Sequence, residues 1–351
     1  MPQALYVGLQ DDDKIAAFAI DPASGHLTPQ AELAAPGGPS VMALGPDRRT
    51  LYVGLRGEPA IATFGIAEDG ALRLRGTAPQ PHALTFLAID RSGKFMLCAY
   101  YQGGGAAVYR LGADGMVGAA SQDWLATAQG AHAIATDPSN RFAFVPHIAR
   151  IQDNVMEPPK NIAGPNVIMQ FRFDAATGRL SPNSPPLVAQ AEMIGPRHYI
   201  FHPSLEIVYF SNEQGCSVTA YRLDKAAGTL AAMQTISTLP AGHSERATCS
   251  QIHLTPSGRL LYVGNRAPNS SSIAGFVVDP ASGQLSAAGH AATEAVPSAF
   301  CLDPAGRFLF AAGTATDRLA SYGIDETTGA LKPLATYQVG RRPAALLAWG
   351  S

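Results

Sequence analysis

Cysteine, tryptophan and charge are scarce in this chain, and no long hydrophobic run interrupts it. Four of its 351 residues are Cys, two are Trp, and Asp, Glu, Lys and Arg together reach 15%, against about 25% in an ordinary soluble domain. Cys98, Cys216, Cys249 and Cys301 are scattered, with no C-x-x-C pair. That excludes a zinc-ribbon pattern and leaves buried free thiols as the expectation, three of them in or near strands. No apolar run approaches the ~20 residues of a membrane helix. The opening MPQALYVGLQDDDK carries neither the basic region nor the apolar core of a secretory signal, so a cytoplasmic protein without membrane association is expected. A net charge of −2 and the lack of a basic block argue against a nucleic-acid partner. With only Trp124, Trp349 and an 8% aromatic content, little is left for the exposed aromatic patch of a non-enzymatic binding propeller.

What the chain has in quantity is apolar residues and turns: 46% hydrophobic, with 35 Gly and 27 Pro. These are organised as a repeat. One unit is an apolar strand, a turn of the type x-P-x-G-R and a second apolar strand. It occurs as MALGPDRRTLYVG (42–54), LAIDRSGKFMLCA (87–99), IATDPSNRFAFVP (134–146), YIFHPSLEIVYFS (199–211), IHLTPSGRLLYVG (252–264) and FCLDPAGRFLFAA (300–312). A second unit, a strand running into a Gly turn and an apolar residue, closes at Leu27, Leu72, Val117, Leu180, Leu230, Leu285 and Leu331, with spacings from 45 to 63 residues. Four short β runs in such a period are one propeller blade. The fold expected is all-β: a seven-bladed β-propeller with four antiparallel strands, A to D, in each blade, in a single domain spanning 1–351.

The count of six first units against seven second units locates the ring closure. The chain opens on a B-type strand, ALYVGL (4–9), and ends on RRPAALLAWG (341–350), which matches an A-type strand. The C-terminal strand should therefore join the N-terminal blade and remove an open sheet edge.

In this topology the starts of the A strands and the B–C loops share one face around the channel, while the near-identical A–B and C–D turns occupy the other. The divergent face is where binding or chemistry belongs. It carries His132 and His147 in blade four, Arg197, His198, Asn212 and Glu213 in blade five, and Gln251, Asn265 and Arg266 in blade six. Tyr100 and Tyr101 precede a GGG run in blade three. His132 and His198 are read as occupying one repeat position in adjacent blades. Blades one, two and seven offer Gln10, Arg56, Ser298 and Thr314. An insertion over 148–167 in blade four is long enough for a lid or binding loop. His26, His202 and His253 are expected to be structural, and His243 lies on a connection that reaches toward the cleft.

These same segments resemble the seven-bladed lactonase family, which includes bacterial propeller-type 6-phosphogluconolactonases and fungal 3-carboxy-cis,cis-muconate lactonizing enzymes. The resemblance covers the whole chain and is most specific over GPRHYIFHPSLEIVYFSNEQGCSVTAY (195–221) and QIHLTPSGRLLYVGNRAPNSSSIAGF (251–276). The chain departs from the family pattern at Gln251, where an acidic residue is usual, and at Pro297-Ser298-Ala299-Phe300, where P-R-x-F is common.

The resemblance implies hydrolysis of a sugar-acid lactone, phosphorylated or unphosphorylated, with a small-molecule sugar lactone as partner. Lactone opening needs a base for water and a donor for the oxyanion. Glu213, His132 and His198 are the candidate bases, and Arg197 and Arg266 the candidate oxyanion or carboxylate donors. His147, Asn212, Asn265, Gln251, Tyr100 and Tyr101 are candidate substrate contacts. A phosphate wants two or more cationic donors, for which Arg197, Arg266 and Arg150 are available. The absence of G-x-S-x-G argues against a serine nucleophile. No cofactor is expected, although His132, His147 and His198 with Glu213 form a conceivable divalent-metal set. A cycloisomerase acting on a muconate-like diacid is the alternative. A monomer or small homo-oligomer is expected.

Overall fold

The computed structural model describes residues 2–122 and 124–350. Among them the only helical element is a single 3-10 turn, Gln10–Asp12. Among the described residues seven antiparallel blade sheets follow one another along the chain, with one further two-stranded ribbon inserted in blade four. In blade five the strands are Pro196–Phe201, Ile207–Asn212, Ser217–Asp224 and Thr229–Ser237. In blade six they are Thr248–Leu254, Leu260–Arg266, Ser272–Val278 and Leu285–Ala292. Blade one takes Ala4–Leu9, Lys14–Ile20 and Leu27–Ala34 from one end of the chain and Pro343–Trp349 from the other. The register runs Ala4↔Trp349 through Leu9↔Pro343, so the ring closes through the strand expected to close it.

The physical reason for the blades is visible in strand B. Its residues are buried without alternation in blades one, two, three, four, five and seven, because each face packs against a neighbouring blade. Strand D, at the rim, is largely exposed. Tyrosines of strand B add a polar link between blades. The hydroxyls of Tyr6, Tyr52, Tyr209 and Tyr262 donate to the carbonyls of Gly70, Gly115, Gly283 and Gly329, each in the C–D turn of the next blade, at 2.7–3.0 Å.

Several of the A–B turns, similar from blade to blade, are built around one acceptor side chain. Asp90, Asp137 and Asp303 each accept backbone N–H groups four and five residues on. His202 takes a related part in blade five, where its Nδ1 accepts from the backbones of Ser204 and Leu205. These turns lie on the face away from the site. All four cysteines are buried and free.

Candidate active site

A cavity of about 1220 Å³ occupies the mouth of the channel. A-strand starts and B–C loops line it, with an apolar depth that includes Leu87, Ile200, Ile252 and Leu346. The inserted segment contributes Gln152 through Glu157 and Lys160. Its ends pair as a short ribbon, Arg150–Ile151 with Ile162–Ala163. The ribbon is tied down where Tyr101 Oη accepts from Gln152 N at 2.7 Å and where Arg246 pairs with Asp153.

Glu213 is the centre of the polar wall. It is only 3% exposed, and both carboxylate oxygens face guanidinium groups. Arg197 Nε donates to Oε2 at 2.8 Å, and Arg266 Nη2 stands 2.9 Å from Oε1. His132 Nε2 lies 3.7 Å from Oε2. The backbone holds the carboxylate in place: Glu213 N donates to Gly195 O, and Cys249 N donates to Glu213 O. Gly195 has φ +67, and a Cβ there would meet Gln214 Oε1 at 2.1 Å, so the first residue of the GPRH segment must be Gly. Gln214 in turn accepts from Ala149 N and donates to Arg150 O, joining this corner to the insertion.

Two buried arginines and one carboxylate leave the pocket with a net positive charge if the histidines are neutral. They are. Burial first, then Arg197 and further neighbours including Arg266, holds His132 and His198 well below the ordinary imidazole range. Burial also lowers Arg197 to about 10, against the opposing pull of Glu213. The two imidazoles are 5.3 Å apart, with Phe86 edge-on to His198 and Tyr101 edge-on to His132. Four buried polar atoms here have no partner: His132 Nδ1, His198 Nε2, Arg197 Nη1 and Arg266 Nε. Unpaired donors and acceptors concentrated at one wall are costly and mark a place shaped for a polar ligand.

Glu213, His132, His198, Arg197, Arg266, Gln251 and Tyr101 all line the cavity. Four expected substrate contacts do not. His147 is fully buried, with Nδ1 against Val145 O and Nε2 against Thr127 Oγ1. Asn212 donates to Ser217 and Thr219, and Asn265 to Thr238 O and Ser272. Tyr100 is enclosed in blade three, bonded to Gln80 and Tyr109. All four hold the same repeat position near the end of strand B and turn into the packed body of the ring; the next residue, Tyr101, Glu213 or Arg266, lines the cavity in blades three, five and six. Arg150 and His243 are likewise absent from the cavity wall.

Two further readings are corrected. His253, expected to be structural, lines the cavity, with Nε2 3.3 Å from Gln251 Oε1. His132 and His198 are not equivalent: the pairings Ala131↔His147 and Pro196↔Asn212 place His132 level with Arg197 and His198 one residue further in. Phe86 and the individual insertion residues were missed, since an apolar residue and a loop without periodicity carry no signal of direction. Among the described residues no group of three His, Cys, Asp or Glu side chains is arranged to hold a metal ion; His147, one of the four donors considered, points away. No helix among them is long and apolar enough to cross a membrane.

Comparison with known proteins agrees with this architecture over its full length. The chain is 34% identical to a protein named 6-phosphogluconolactonase from Pectobacterium carotovorum subsp. carotovorum (strain PC1), covering 98% of this chain and 97% of that protein. It is 33% identical to one of the same name from Yersinia pestis (strain Pestoides F), with the same coverage. A solved structure described as a periplasmic gluconolactonase of Pseudomonas aeruginosa superposes with a TM-score of 0.85 at 23% identity, covering 100% of this chain and 99% of that one, and shows the same fold. The family model "Lactonase, 7-bladed beta-propeller" matches residues 4–348. With seven blades, a closing C-terminal strand and this match from end to end, the chain belongs to the seven-bladed β-propeller lactonase family.

Proposed function

We propose that the protein hydrolyses the internal ester of a sugar-acid lactone, a substrate of the 6-phosphogluconolactone type, and does so without a metal or other cofactor. The observation that carries this is the arrangement of Arg197 and Arg266 on one carboxylate beside a neutral histidine, in a chain whose relatives bear that name. At 3.7 Å, His132 Nε2 and Glu213 Oε2 are too far apart to bond directly. A water at the apex between them reaches both. In the reaction that water attacks the lactone carbonyl carbon while His132 Nε2 accepts its proton, and the adjacent carboxylate stabilises the imidazolium. The unpartnered N–H groups of Arg197 and Arg266 donate to the developing oxyanion. Collapse of the tetrahedral intermediate breaks the ring C–O bond, and the proton on His132 goes to the departing alkoxide.

His198, Tyr101 and Gln251 then position the sugar hydroxyls. Gln251 Oε1 accepts from Phe300 N at 3.1 Å, which turns its amide N–H groups to the ligand. His147, Asn212, Asn265 and Tyr100 have no part in this. The reading includes action in the cytoplasm as a monomer or small homo-oligomer.

The test is acid release from δ-gluconolactone and 6-phosphogluconolactone, followed with a pH indicator, with and without EDTA. Acceleration of at least one lactone above its spontaneous opening, unchanged by EDTA, is expected. No acceleration of either overturns the assignment, and loss of rate with EDTA overturns the metal-free mechanism.

A further inference from the structure

A second pair of arginines lines the same cavity from the other side of the ring. Arg56 follows strand B of blade two (Thr50–Leu55), and Arg342 directly precedes the closing strand Pro343–Trp349. Their backbones belong to one hydrogen-bonded patch. Arg342 O accepts from Gln10 N at 3.1 Å, and Arg56 N donates to Gly38 O at 3.0 Å. Gly38 lies against Gln10, since a Cβ built on it would stand 3.2 Å from Gln10 Cγ.

Neither guanidinium has a hydrogen-bond acceptor or a carboxylate partner among the described residues. The acids on this side of the cavity, Asp11, Asp12 and Asp317, form no ion pair with either guanidinium. Asp12 holds Arg341 at 2.6 Å, and Asp317 Oδ1 accepts the backbone N–H of Arg342 at 2.9 Å. The contrast with Arg197 and Arg266, which share Glu213, is plain. Arg342 is held at φ 50, the left-handed position that Gly38, Gly195 and Val296 occupy just before the A strands of their blades, so the repeat itself fixes the backbone that carries this guanidinium at the cavity mouth. Both side chains are exposed to the solvent of the cavity mouth, and Arg56 feels the positive charge of Arg342, as two cations facing one space should. A pair of cations held together without an acid is complementary to an anion brought by the ligand, and the planar guanidinium fork fits a phosphate.

We propose that Arg56 and Arg342 form an anion subsite for the phosphate of a phosphorylated sugar-acid lactone whose ester lies against Arg197, Glu213 and Arg266. This rests on the lactonase reading for the identity of the substrate, while the anion subsite itself stands on the arginine pair. It gives the cavity two cationic poles, one for the oxyanion and one for the far end of the substrate.

The experiment measures kcat/KM on 6-phosphogluconolactone and δ-gluconolactone for the wild type, Arg56→Gln, Arg342→Gln and the double variant. A charged hydrogen bond contributes about 1.5–3 kcal/mol, so each substitution should lower kcat/KM for the phosphorylated lactone about 10- to 100-fold. The unphosphorylated lactone should change less than about 3-fold, since remote binding energy is removed without touching the reacting groups. An unaltered preference, or an equal loss on both substrates, overturns the subsite. Arg342 adjoins the closing strand, so Arg56→Gln, on blade two, decides alone if the other variant fails to fold. Calorimetry with 6-phosphogluconate and gluconate separates this from the lactonase reading. If neither lactone is hydrolysed, tighter binding of the phosphorylated acid that disappears in Arg56→Gln still supports the subsite. Equal binding of the two acids by the wild type overturns it.

Discussion

Glu213 holds two buried guanidiniums in place, and this sets what its removal should do. Glu213→Gln leaves Arg197 and Arg266 without a countercharge in a site where both are largely buried. Breaking a buried pair in this way costs about 3–5 kcal/mol, so the variant should lose thermal stability as well as activity. His132→Gln removes the proton acceptor but no ion pair at hydrogen-bond distance, so kcat should fall about 10²–10⁴-fold with little change in Tm. Comparing the two melting curves with the two rate constants checks the assignment; equal stability losses would mean His132 is mainly structural. The pH profile follows from the same environment. Because burial keeps His132 neutral well below its usual range, the acid limb of kcat/KM should fall below pH 6.5. A limb at or above that value would move the base elsewhere.

His147 tests linkage away from the cavity. Burial depresses it to about 4, while in the unfolded chain it titrates near 6.5. Between those values the unfolded state binds the extra proton, so stability is fully present above pH 6.5 and is lost as pH falls toward 4. The loss is on the order of 3 kcal/mol. In His147→Gln this part of the acid dependence of ΔG should flatten, with kcat/KM unchanged, as urea titrations at pH 7 and pH 5 will show.

At the scale of elements, the divergent face was legible in the sequence and the direction of individual side chains was not. Antiparallel order alone places the A-strand starts and B–C loops together around the channel. One step along strand B reverses a side chain: Tyr100, His147, Asn212 and Asn265 turn into the packed body of the ring, while Tyr101, Glu213 and Arg266 turn to the cavity. Aligning the repeats on their A–B turns would have separated the two positions, and would have promoted Arg56, which stands level with Glu213. The bulge between Cys249 and Ile252 is harder to foresee, and it lies beside Gln251 and His253 in the register. The inter-blade tyrosines give an element-scale prediction. Tyr209→Phe and Tyr262→Phe each leave a buried glycine carbonyl without its donor and should cost about 1–3 kcal/mol. Both lie toward the C–D turns, so kcat/KM should be unchanged; a drop in activity at intact stability would contradict the separation of the two faces.

At the scale of the whole molecule, the blade count and the closing strand were readable because each repeat needs its neighbours to bury strand B, which makes the period regular. Closure is reinforced beyond the register of blade one. Trp349 Nε1 donates to Arg48 O at 2.6 Å, Arg48 reaches the carbonyl of Gly350, and Arg341 pairs with Asp12. The C-terminal strand thus joins blade one to the A–B turn of blade two. Deleting 343–351 removes the innermost strand of one blade, leaves Leu5 and Val7 without their partners Ala348 and Leu346, and opens the ring to an unpaired edge. The truncated chain should be insoluble or should lose its cooperative thermal transition, rather than fold as a six-bladed remainder. The same deletion removes one wall of the cavity, since Ala344, Ala345 and Leu346 line it. A soluble truncation with a sharp melting curve would show that the propeller holds without its closing strand. Activity in that truncation would also detach the site from the ring that is argued to shape it.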